Sequence, residues 1–214
     1  MGLPSLAELR LLRRTLARKR DLVRRLGDLR LGSGSKIGFP RQLDGARHIT
    51  IGAGTRIQPS AWLSAYEEYA GQRFTPRIVI GSNVYIGFFA CITSIDEVRI
   101  EDDCVFSEFV YLSDHSHGFD PRNGPIGQQP LTRKGPVSVG ANSFIGYHAC
   151  VLSGVAIGRN CVVGANAVVT KSVPDFSMVA GTPARVIARF SHDSNRWLRV
   201  DNDLDGDQSS DRGR

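Results

Sequence analysis

From residue 139 the chain repeats with a period of six. Aliphatic side chains recur at Val139, Ile145, Val151, Ile157, Val163 and Val169, and the next position is Gly at 140, 146, 158 and 164. Four residues past each aliphatic stand Ser143, Ala149, Val155, Cys161, Ala167 and Val173, all small or β-branched. An earlier block has the same pattern at Ile80, Ile86 and Ile92, and it resumes two residues out of phase at Ile100, Phe106 and Leu112. A still earlier block has Ile51, Ile57 and Leu63. A period of six fits neither the helix repeat of 3.6 nor hairpins with polar turns. It fits one short strand and one turn, so that three units close a triangular coil and successive coils stack as a parallel β-helix. The aliphatics then point inward, the small residues fit a narrow interior, and Gly suits a corner needing unusual dihedrals and close approach. Cys104 and Cys161 fall on the inward small position.

Two stretches break the period and must leave the coil as loops, residues 64–79 and 113–136, and such excursions are where function concentrates. Residues 5–29 read as a helix, with a Ser5/Glu8 capping box and an apolar stripe of Leu9, Leu12, Leu16, Val23 and Leu26. The expected organisation is a basic amphipathic helix at 1–30, a β-helix domain at 31–190 and a disordered Asp-rich tail at 191–214.

Composition changes this picture little. Hydrophobic residues make up 41% of the 214 and charged residues 22%, which is ordinary globular usage. The formal charge of +6 matches the surplus of residues 1–30 alone, where eight Arg and one Lys face Glu8, Asp21 and Asp28. The basic character thus belongs to one appendage, and without aromatic interleaving it does not mark a nucleic-acid binder. The leucine stripe favours packing on the end of the coil, with contact to an anionic membrane surface through residues 5–29 as the other role open to it. The absence of an apolar signal region and of CxxC spacing among Cys91, Cys104, Cys150 and Cys161 leads us to expect a cytoplasmic protein with reduced thiols.

The hexapeptide repeats, the segment DHSHGFDPRNGPIGQQP and the run VVGANAVVTKSVPDFSMVAGTPARVI together resemble the left-handed β-helix acyltransferases, in particular the galactoside, maltose and capsular-polysaccharide O-acetyltransferases. The resemblance covers roughly residues 45–188. It implies the left-handed coil, a homotrimer, and acetyl-CoA as co-substrate in the groove between adjacent prisms. It implies no metal, and a histidine that deprotonates a sugar or glycan hydroxyl, chemistry suited to imidazole near neutral pH. By position that base is His115, with His117 as the fallback. Asp96 is the expected orienting acid. Asp114, next to the base, is disfavoured because neighbours in extended chain point to opposite sides. The family's CoA contacts fall on Phe144, Tyr147, Ala165, Thr170, Lys171 and Arg185.

Two rivals remain. Solenoids of this kind can be non-catalytic scaffolds. The γ-class carbonic anhydrases use the same prism with three histidines on zinc, but their close pair is spaced five apart, whereas His115 and His117 are two apart.

Overall fold

The computed structural model describes residues 20–200. Three parallel faces wind around one core as a left-handed β-helix. The first face has six strands, from Arg30–Leu31 to Ala156–Ile157. The second has nine, starting at Lys36–Ile37, and the third has six, from Gln42–Asp44 to Val168–Val169. The chain visits the faces in the order first, second, third, and each coil lies in register on the next.

The six-residue pattern is the inside of this prism. Val139, Ile145, Val151, Ile157, Val163 and Val169 are all buried, as are the small residues Ser143, Ala149, Val155, Cys161 and Ala167. Phe106 is the largest side chain in the fully enclosed interior. Of the two reasons expected for Gly beside the aliphatics, close approach holds and the unusual dihedral does not. At Gly140 an added Cβ would lie 2.5 Å from the amide nitrogen of Arg159 on the next coil. Close stacking excludes a side chain there, while positive φ falls two residues later, on Asn142, and at equivalent corners on Asn83, Asp103 and Asn160. Asn and Asp tolerate that region better than most residues.

The phase slip has a structural counterpart. Val139 pairs with Ile157, eighteen residues on, whereas Ile80 pairs with Ile100, twenty residues on. The two extra residues enlarge the corner at Ile95 and Asp96. The two predicted loops are real excursions with narrower bounds. Ser64 and Ala65 still belong to the strand Trp62–Ala65, after which a hairpin of Glu68–Tyr69 and Gln72–Arg73 projects. The longer excursion starts after Tyr111–Ser113 and is braced by antiparallel pairing of Ser116–His117 with Leu131–Thr132.

Both ends depart from expectation. Of the predicted helix, residues 1–19 lie outside the described residues, and residues 20–26 are helical. Leu22 and Leu26 pack on the core while Val23 is exposed, so the buried stripe is the i, i+4 pair. Arg25 joins the helix to the coil through Asp44 at 2.8 Å. At the other end, residues 191–200 are not a tail: Arg196–Arg199 pairs antiparallel with Ala184–Ser191, extending the second face, because Phe190 and Trp197 pack together there. Residues 201–214 lie outside the described residues.

Candidate active site

The corner between the third and first faces carries the ionisable cluster that sequence pointed to. The strand Tyr111–Ser113 ends there and the chain bends at Asp114. The bend removes the alternation that would send neighbouring side chains apart, and Asp114 and His115 converge. Nδ1 of His115 lies 2.8 Å from Oδ1 of Asp114. Because a carboxylate only accepts, Nδ1 carries the proton and Nε2 keeps its lone pair.

Asp114 is fully buried. Its Oδ2 accepts from Ser94 Oγ at 2.7 Å and from the amide of Asp96 at 2.8 Å, and its Oδ1 accepts from the amide of Ile95 at 3.0 Å. The enlarged corner of the preceding coil supplies these donors. Burial pushes the Asp114 carboxyl up, but the bonds from His115, Ser94 and the two amides outweigh it and hold the group below the ordinary aspartate value. The edge of the Tyr66 ring system meets His115 at 83° with centroids 5.8 Å apart, which fixes the imidazole from the hairpin side. Among the described residues Nε2 has no hydrogen-bond partner. His115 lines a cleft of about 990 Å³ whose walls come mostly from the 113–136 excursion.

Asp96 is thus not the group on the imidazole. Its side chain pairs with Arg133 at 3.2 Å, and only its backbone amide reaches the cluster. The expected order of the two acids is reversed, because the chain bends at Asp114 where extended backbone would have turned its carboxylate away from His115. His117 is held elsewhere: Tyr69 Oη donates to the Gly127 carbonyl at 2.6 Å and accepts a hydrogen bond from His117 Nδ1 at 3.2 Å. His148 sits on another corner beside Asn166, so the three histidines do not converge. Among the described residues no group of three His, Cys, Asp or Glu side chains is arranged for a metal.

The six expected cofactor contacts divide between places. Thr170 and Lys171 follow Val168–Val169 on the third face, at the same corner as His115 and two coils beyond it. Phe144 and Arg185 lie on second-face strands, and Tyr147 and Ala165 at the corner that leaves that face. Tyr147 there continues an exposed aromatic row, meeting Phe109 at 5.6 Å, which in turn stacks on Phe89 at 4.9 Å. Thr170 and Lys171 thus share the corner line of His115 but stand two coils away from it, and the other four lie on the second face and the corner that leaves it.

Residues 136–171 match the family model described as "Hexapeptide repeat of succinyl-transferase". The chain is 32% identical over 178 residues to the probable acetyltransferase Rv3034c of Mycobacterium tuberculosis, covering 83% of this chain and 55% of that one. It is 31% identical over 129 residues to the putative lipopolysaccharide biosynthesis O-acetyl transferase WbbJ of Escherichia coli, covering 58% of this chain and 66% of the relative. The chain thus spans little more than half of the first relative and about two thirds of the second. A crystal structure of a variant of AntD, an N-acyltransferase from Bacillus cereus holding dTDP and coenzyme A, superposes with TM-score 0.66 at 20% identity, over 80% of this chain and 89% of that one. At that identity the likeness concerns the fold. Repeat, register and relatives agree, and the chain belongs to the hexapeptide-repeat acyltransferase superfamily, related to the sugar and polysaccharide O-acetyltransferases.

Proposed function

We propose that this protein transfers an acetyl group from acetyl-CoA to a hydroxyl of a sugar or glycan precursor, with His115 as general base. The observation that carries the reading is the imidazole whose Nδ1 is anchored on a buried carboxylate while Nε2 faces a cleft without a partner. Nε2 takes the acceptor proton as the acceptor oxygen bonds to the thioester carbonyl carbon. The carbon–sulfur bond then breaks, and the CoA thiolate leaves and is protonated. Asp114 holds the tautomer and steadies the imidazolium. Acetylation is also what the names of the curated relatives describe.

Transfer is direct in this reading. The thiols of Cys91 and Cys104 are pushed up to about 11, mainly by burial, which suits structural rather than nucleophilic cysteines. Acetyl-CoA lies between copies of the chain. One copy supplies His115, Thr170 and Lys171, and its neighbour supplies the corner with Tyr147 and Ala165. The exposed row of Phe89, Phe109 and Tyr147 supports an assembly that covers it, a homotrimer in the cytoplasm.

The test is His115→Ala. The variant is expected to keep acetyl-CoA affinity by calorimetry and to lose about 10²–10⁴-fold in turnover, the usual worth of a general base. An active variant would remove the assignment. Failure of the wild-type protein to bind acetyl-CoA would leave the scaffold reading instead.

A further inference from the structure

The cleft contains a cation that the proposed chemistry does not use. Three basic side chains line it: Arg122, Arg133 and Lys134. Arg122 is engaged by both oxygens of Asp120, with Nε 2.9 and 3.2 Å from them. Arg133 is paired with Asp96 at 3.2 Å. The ammonium of Lys134 has neither a hydrogen bond nor an ion pair among the described residues.

Lys134 is nevertheless held in place through its backbone. Ser153, on the coil after that of His115, donates its hydroxyl to the carbonyl of Asp114 at 2.5 Å and accepts the amide of Lys134 at 2.8 Å. One side chain thus ties the start of the excursion to its return, and it joins Lys134 to the residue that anchors the base. Gly154, at φ +78, lies flat beneath Lys134, where an added Cβ would come within 3.0 Å of the lysine Cβ. Two acids near the cleft are neutralised, Asp120 by Arg122 and Asp96 by Arg133, while the Asp114 carboxylate is fully buried and turned to Ser94, His115 and the amides of residues 95 and 96. The lysine charge is therefore left over for a ligand.

We propose that Lys134 reads an anionic group on the acceptor, so that the substrate is a sugar bearing a phosphate or a carboxylate rather than a neutral sugar. The proposal rests on the acyltransferase reading for the identity of the ligand, and on geometry alone for the anion site. Lys134 belongs to the wall of the excursion, whereas Thr170 and Lys171, the residues expected to meet CoA, lie further along the prism. Phe119, 75% exposed on the same wall, offers a ring face for the carbon-bound hydrogens of a sugar. A cleft near 990 Å³ has room for a charged substituent beside the reacting ring, being at the upper end of the roughly 300–1,000 Å³ typical of ligand sites.

The experiment is calorimetric titration of the full chain with inorganic pyrophosphate, in saturating CoA so that donor-phosphate contacts are occupied. Lys134→Met and Lys134→Arg are compared with wild type, with thermal unfolding confirming that both fold. Saturable binding is expected for wild type, weakened by about tenfold or more in Lys134→Met and kept within about threefold in Lys134→Arg, with acetyl-CoA affinity unchanged in both. Equal binding in Lys134→Met, or no saturation below about 10 mM in wild type, overturns the proposal. A parallel loss of acetyl-CoA affinity in Lys134→Met also overturns it, since the charge would then serve the donor. If wild type fails to bind acetyl-CoA, the acyltransferase reading falls, and the same titration without CoA still decides whether Lys134 holds an anion.

Discussion

Replacing Asp114 by Asn separates the work of the carboxylate from its shape. An asparagine at 114 has two placements. With its amide oxygen at the Oδ2 position it keeps the bonds from Ser94 and the Asp96 amide, but its NH2 group then faces Nδ1 of His115, where the native contact is 2.8 Å. Two donors cannot face each other, so the imidazole moves its proton to Nε2 and loses the lone pair that the base needs. In the flipped placement the oxygen meets Nδ1 and keeps the Ile95 amide, but the NH2 confronts the amide of Asp96. Leaving that buried donor unpaired costs about 1–3 kcal/mol, so this placement lies higher by about that much. The competent tautomer is then depleted by roughly 5- to 150-fold at 1.4 kcal/mol per decade, and turnover should fall by the same factor. Stability should fall only by the weakening of charge-assisted bonds, about 1–2 kcal/mol, or roughly 2–8 °C in melting temperature for a chain of this size. The assay is thiol release from acetyl-CoA with a working acceptor, beside thermal unfolding and acetyl-CoA binding. Turnover within about threefold of wild type, in a protein that still binds acetyl-CoA, would refute the orienting role of Asp114.

Gly140→Ala should destabilise the fold by about 1–3 kcal/mol, because the new methyl meets the Arg159 amide nitrogen at 2.5 Å; unchanged thermal unfolding would refute the close-stacking account. The thiol of Cys104, buried and pushed up to about 11, should be only about 10⁻³ ionised at pH 8, so iodoacetamide should label it far more slowly in the native protein than in urea; equal rates would contradict its enclosure. Asp114 has a lowered carboxyl pKa, so its stabilisation is complete above the ordinary aspartate value of 3.8 and is lost as pH falls through the lower folded value. Urea midpoints of wild type should therefore drop more steeply below about pH 4 than those of Asp114→Asn, and parallel curves would show that the carboxylate gains nothing from its partners.

Much of this molecule is written in local pattern. The inward aliphatics from Ile51 to Val169 repeat at the spacing of one strand and one turn, so the coil, its core and the places where the chain must leave it are all readable in one dimension. His115 was legible for the same reason, standing where the period stops and the long excursion begins. The family pattern added the expectation of an imidazole there.

Other features depend on contacts between residues that are distant in sequence or on departures from regular backbone. Asp114 rather than Asp96 meets the imidazole because the chain bends at 114, and because the amides that stabilise the carboxylate come from residues 95 and 96 on the preceding coil. The pairing of Arg196–Arg199 with Ala184–Ser191 was hidden by polar composition, since an edge hairpin carries little periodic signal. The division of the expected CoA contacts between two corners is a matter of register: Val151 lies on Val169 and Ile145 on Val163. That Lys134 has no ion-pair partner among the described residues likewise follows from which acids Arg122 and Arg133 had already taken. Periodicity decides which side chains turn inward, but stacking decides which of the outward ones meet.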